Sequence, residues 1–240
     1  MSKGRSKWKK TVNVICVFLI ALVLITGYYT VTNSKNSAPN FNPNNMEKPP
    51  TSNGLSTNNL IILGICTFVL ITSLSIIVDS SSSVYKTAPM FFITNTKAII
   101  NLENTTLTYG SNILLSIKGT NEWENSGSNG GNLELNATNQ KLSGDIILDS
   151  LSSVDINLKS STLTSTVNNN KKAKEVNISI DKNSKWNVER NSYINTLKLT
   201  NNDLNLIKDN GHNVYYDKEA NEWLDGKTYT LQDDGKLIPR

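Results

Sequence analysis

Three carboxylates, Asp145, Asp149 and Asp155, lie close together in the chain. Hard cations take oxygen ligands from such groups, so these three are the candidate metal residues and Ca²⁺ is the candidate ion. No EF-hand spacing and no Gly-Gly-x-Gly-x-Asp repeat surrounds them, and solvated outward carboxylates are the plainer reading. Aromatic rings offer a second chemistry, because their faces stack on the apolar faces of pyranose sugars. Trp123 stands between Glu122 and Glu124 in a polar stretch, and Tyr215, Tyr216 and Trp223 cluster near the C-terminal end. These four are the candidate carbohydrate-binding residues. For the last three, shielding the end of the fold is the competing role.

No catalytic residue is assigned. A polysaccharide lyase pairs a basic side chain with carboxylates, and Arg190, directly after Glu189, is the one arginine in the stretch where this could occur. Paired carboxylates for hydrolysis depend on a separation in space that a sequence does not reveal. Nucleophile-elbow, phosphate-loop, dinucleotide and zinc motifs are missing. Cys16 and Cys66 each sit in an apolar run and read as small hydrophobes, and His212 follows the turn-like Asn210-Gly211. No cofactor is expected beyond the Ca²⁺ option.

What must position these residues is an all-β fold. Apolar residues make up 38% and charged residues 18% of the 240, both low for a globular chain, and Asn, Ser and Thr fill the gap. That mixture suits strands and tight turns rather than helical bundles. The formal net charge of +4 owes much to Lys3, Arg5, Lys7, Lys9 and Lys10. Only three arginines occur, Arg5, Arg190 and Arg240, which argues against nucleic-acid binding.

Residues 1–10 read as a basic cytoplasmic tail. Residues 11–30 carry no charge and are long enough for a transmembrane helix. The preceding cations place the N-terminus in the cytoplasm, with Tyr28 and Tyr29 at the far interface. Small residues of an A-x-A-like cleavage site are lacking near Gly27, which favours an uncleaved signal-anchor over a cleaved signal peptide. Residues 31–57, rich in Pro, Asn and Ser, read as a disordered stalk.

Residues 58–240 read as a right-handed parallel β-helix, a solenoid. Four segments repeat: Ala98–Leu102, Leu133–Ala137, Val154–Leu158 and Val176–Ile180, each followed by a polar corner and another apolar residue. Alternation with period two puts Val154, Ile156 and Leu158 on one side of a strand and Asp155 and Asn157 on the other. The steps are 21 residues from Leu133 to Val154 and 22 from Val154 to Val176. Such a period suits stacked coils whose inward faces merge into one core. The longer step before Leu133 holds an insert over 121–131. Trp186 takes the apolar corner position and reads as core or cap.

Residues 60–78 carry no charge and keep two readings open. By hydropathy they form a second transmembrane helix. By pattern, Leu74–Val78 followed by Asp79 and four serines continues the repeat and stacks on Ala98–Leu102.

Met90–Leu107, Ser126–Leu133, Asn136–Ile146, Asp181–Val188, Ser192-Tyr193, Asn210-Gly211-His212 and Leu224–Leu231 together resemble a bacterial family of carbohydrate-binding β-helix surface proteins. The likeness covers about residues 84–240, and the basic anchor and stalk match more loosely. It implies a surface module for polysaccharide or cell-wall glycan, with no catalytic signature, and this chain would be a shortened member. The resulting expectation is a membrane-anchored, non-catalytic adhesion module, single-pass with its C-terminal domain outside the cell. The alternatives are a lyase or hydrolase on a β-helix and a two-helix membrane protein of structural role.

Overall fold

The computed structural model describes residues 60–62, 66–72, 75–120 and 129–240. The chain divides after Thr57, and all described residues belong to the unit Asn58–Arg240. The expected anchor and stalk therefore lie outside the described residues.

The described part is an all-β solenoid of about six coils. Most coils lay a strand on each of three faces. The first coil has β1 (Leu60–Ile62), β2 (Cys66–Thr72) and β3 (Ser75–Ile77). The second has β4 (Phe91–Ile93), β5 (Lys97–Glu103) and β6 (Thr106–Thr108). The third has β7 (Ile113–Ile117), β8 (Asn132–Thr138) and β9 (Lys141–Ser143). The fourth has β10 (Asp145–Leu148), β11 (Ser153–Lys159) and β12 (Thr162–Ser165). Then come β13 (Glu175–Ile180), β14 (Lys185–Val188), β15 (Ser192–Tyr193), β16 (Thr196–Leu199) and β17 (Ile207–Lys208). The chain ends on β18 (Val214–Tyr216), β19 (Tyr229–Thr230) and β20 (Lys236–Pro239).

The second face is a six-stranded parallel sheet in the order β2, β5, β8, β11, β13, β16. Its register sets Ala98 on Leu133, Leu133 on Val154 and Val154 on Val176, the alignment expected from the repeat. Inward residues of these strands are buried: Ile100, Leu135, Ile156 and Ile178 are at most 1% exposed. Burying one such side chain stabilises by about 1.5–3 kcal/mol, and each coil reaches that state only because its neighbours cover its faces. Trp186 is fully buried on the third face, in register with Leu163 and Ile207.

The first coil differs from expectation. Thr67, not Leu74, pairs with Ala98, and Ser75–Ile77 stacks on Thr106–Thr108 of the third face. A succession of turns explains the slip. Ser82 N donates to Asp79 O, Tyr85 N to Ser82 O and Ala88 N to Val84 O. These turns fill the chain between β3 and β4, and the step from Thr67 to Ala98 becomes 31 residues. Among the described residues no helix is long and apolar enough to cross a membrane.

Corners behave in two ways. Between the second and third faces, Asn104, Asn139 and Ser160 adopt left-handed backbone with φ of 50°, 51° and 49°. Asparagine tolerates that region better than other side chains. The next residues, Thr105, Gln140 and Ser161, are buried and tie coils together. Thr105 Oγ1 donates to Ile71 O at 3.1 Å, Gln140 N to Ser161 Oγ at 3.0 Å, and Ser161 N to Ser184 Oγ at 2.9 Å. These corners are two residues long in the second, third and fourth coils. Between the first and second faces the connections vary in length: 94–96, 118–131 and 149–152.

At the C-terminal end, β19 turns back antiparallel to β20. Buried Asp209 accepts from Gly211 N at 3.2 Å, Asp233 N at 2.9 Å and Gly235 N at 2.7 Å. Burial works to raise its pKa, but these N–H donors outweigh burial and hold the carboxyl below its usual range.

Candidate functional site

The expected aromatic residues that are described, Tyr215, Tyr216 and Trp223, do not form a platform. Trp123 lies outside the described residues. Tyr216 is fully buried, and its hydroxyl donates to Lys227 O at 2.7 Å. Trp223 packs against the core and donates from Nε1 to Leu197 O at 3.0 Å. Tyr215 stacks on Tyr193 with ring centroids 4.6 Å apart and planes 6° from parallel. The ammonium of Lys171 lies 4.6 Å from the Tyr193 ring centroid. On the other side, Tyr215 has Ile238 as its register partner. The tyrosine faces are thus directed along the coil stack, toward neighbouring coils rather than toward solvent.

The three aspartates do not converge either. Asp145 begins β10 and pairs with Arg190. Asp149 closes a corner, accepting from Gly119 N at 2.7 Å and Leu151 N at 3.1 Å. Asp155 points outward from the second face and accepts from Asn177 Nδ2 at 2.8 Å. Among the described residues no group of three or more His, Cys, Asp or Glu could hold a metal ion. A hollow of about 280 Å³ lies by Tyr109, Lys141 and Ser143. The Tyr109 hydroxyl donates to Ser143 O, and burial, then the Asp145 charge, pushes its pKa up to about 12. It stays protonated and acts as a strut.

The outward side of the second face holds a larger feature. A groove of about 470 Å³ crosses β8, β11, β13 and β16 along the stacking direction. One rail is Asn136, Asn157, Ser179 and Lys198, and the other is Thr138, Lys159, Asp181 and Thr200. Strand spacing sets one rung about every 4.8 Å along both rails.

The first rail begins as an amide ladder. Asn136 Nδ2 donates to Asn101 Oδ1 at 3.0 Å and to Glu134 Oε1 at 2.8 Å. Asn157 Nδ2 donates to Asn136 Oδ1 at 2.8 Å. All inter-coil donations run the same way, so the amides polarise one another. On the second rail, Asp181 Oδ1 accepts from Ser184 Oγ at 2.5 Å, Ser160 N at 3.1 Å and Asn183 N at 3.1 Å. Burial works to raise the Asp181 pKa. The hydrogen bonds and the Lys159 charge prevail and lower it.

Sequence reasoning centred on aromatics and acids passed over this rail. Its signal was present: the fourth residue of each aligned segment reads Asn101, Asn136, Asn157 and then Ser179.

No protein-family model, curated protein or solved structure matches the chain.

Proposed function

We propose that this chain is a membrane-tethered, non-catalytic surface module that binds polysaccharide along the groove of its second face. The observation that carries the reading is the pair of polar rails, which repeat in register across four strands. A glycan is itself a repeating array of hydroxyl donors and acceptors. A rung spacing of about 4.8 Å is close to the length of one sugar residue in an extended chain. Amides, hydroxyls and ammonium groups suit such a ligand because each can bond a hydroxyl without a change of protonation.

Asp181 supports the non-catalytic part. Its carboxyl is tied by three donors and held in the charged form, which suits a structural acceptor and not a general acid. The resemblance to carbohydrate-binding β-helix surface proteins, the right-handed coil, the transmembrane helix at 11–30 and the stalk at 31–57 belong to the same proposal. On this proposal the ligand is a cell-wall or foreign glycan outside the cell.

Retention on insoluble cellulose and on pectin gels tests the binding. The full chain in detergent is expected to be held and released by soluble oligosaccharide. Passage through both would overturn the reading, and release of unsaturated or reducing sugars would favour a lyase or hydrolase instead. The location is tested with a C-terminal tag on intact cells. External protease is expected to remove it, and a tag cleaved only after lysis would overturn the surface assignment.

A further inference from the structure

We infer that the amide ladder lacks a rung at Ser179 and that a hydroxyl of a neutral glycan supplies it. This rests on the glycan-binding reading and names the subsite and ligand class within it. Asn101, Asn136 and Asn157 occupy one register column, and the next position of that column is Ser179, followed by Lys198. Asparagine spans the gap between coils, as the 3.0 and 2.8 Å contacts show. Serine is shorter, and its hydroxyl makes no hydrogen bond among the described residues. Asn157 Oδ1 therefore accepts nothing from them, although it ends a chain of aligned amides that raises its strength as an acceptor. Beyond Ser179, Lys198 is exposed and its ammonium has no ion pair among the described residues.

A sugar hydroxyl is both donor and acceptor. Placed over Ser179, it donates to Asn157 Oδ1 and accepts from Lys198 Nζ. That one group completes the column from Asn101 to Lys198. A hydrocarbon could not do this, and a carboxylate could satisfy only the lysine. Charge points the same way. The groove is lined by Lys159 and Lys198 against Asp181, and Glu134, Asp155 and Glu175 lie further along the same outward face, so the face as a whole gives a polyanion no net attraction.

Ser179→Asn is the decisive variant, because it fills the gap with the residue that the column uses elsewhere. Calorimetric titration of the full chain in detergent, with cellohexaose and with hexagalacturonate, reads the outcome. Wild type is expected to bind cellohexaose more tightly than hexagalacturonate. S179N is expected to lose affinity for cellohexaose by about tenfold or more, the scale of one well-formed hydrogen bond to a charged group. Its melting temperature should be unchanged or higher. Ser179→Ala keeps the gap open and should bind like wild type, which separates filling the gap from losing a hydroxyl. Lys198→Gln should weaken binding. If wild type and S179N bind cellohexaose equally, the missing rung is overturned and the groove reading survives. If hexagalacturonate binds more tightly, the neutral class is overturned. If wild type binds neither, the groove reading falls and takes the rung with it.

Discussion

Two columns of like side chains run along this solenoid, and they end in opposite ways. The amide column on the second face stops at Ser179 with an acceptor open. The aromatic column at the C-terminal end is closed. Tyr215 lies against Tyr193, Tyr193 lies under Lys171, and the neighbouring Tyr216 and Trp223 spend their polar atoms on backbone carbonyls. Stacking identical residues in register is thus a structural device first. In the binding proposed above, it offers chemistry to a ligand only where the stack is interrupted on an outward face.

The largest test of this contrast is Tyr216→Ala. Removing a fully buried ring is expected to cost about 3–5 kcal/mol, read as a lower urea midpoint. A loss below about 1 kcal/mol would mean that the cap is not closed as described. Asp209→Asn comes next, at about 1–3 kcal/mol at neutral pH, since it weakens three backbone hydrogen bonds to a buried carboxylate. The folded pKa lies below the unfolded value of about 3.9, so this contribution is full above that value and disappears as pH falls through the folded pKa. Urea melts across acidic pH should show a flatter acid limb in D209N than in wild type.

Tyr215→Ala sharpens the comparison. It should cost about 0.5–1.5 kcal/mol from the lost stack while leaving glycan retention unchanged. A clear drop in retention would return the aromatics to the binding role first expected of them. Asn101→Ala is the smallest, about 0.5–1 kcal/mol for the lost Asn136 hydrogen bond, because Asn136 Nδ2 keeps Glu134 as an acceptor.

Much of the second face was legible in the sequence. Period-two alternation in Leu133–Ala137, Val154–Leu158 and Val176–Ile180 fixes both the inward side and the register, since a one-residue slip would turn Ile156 out to solvent. The first coil was not legible in this way. Ser75–Ile77 is followed by a polar turn much as the later strands are, and nothing local separates a third-face strand from a second-face one. The acids misled because nearness along a strand-and-corner chain is not nearness in space. Asp145 and Asp155 belong to the same coil yet sit on different faces. Tyr215 and Tyr216 are neighbours whose exposures differ because successive strand residues point to opposite sides. The groove was hidden for a different reason: an amide column matters only once its outward direction and its last member are known.

The unequal corners have a consequence for what the scaffold can carry. A splice into Asn139-Gln140 or Ser160-Ser161 would break contacts that fasten one coil to the next, and the whole stack would suffer. A splice between Ile117 and Asn132 enters a connection that already exceeds its counterparts without disturbing the ladder of β8 on β5. That one connection is therefore a display point, whereas Asp149 and Ser152 in the next coil's connection accept hydrogen bonds across coils from Gly119 N and Gly131 N. A foreign peptide could be mounted there, at the start of the second-face strands, away from the groove at their ends, while the opposite edge keeps the stack rigid.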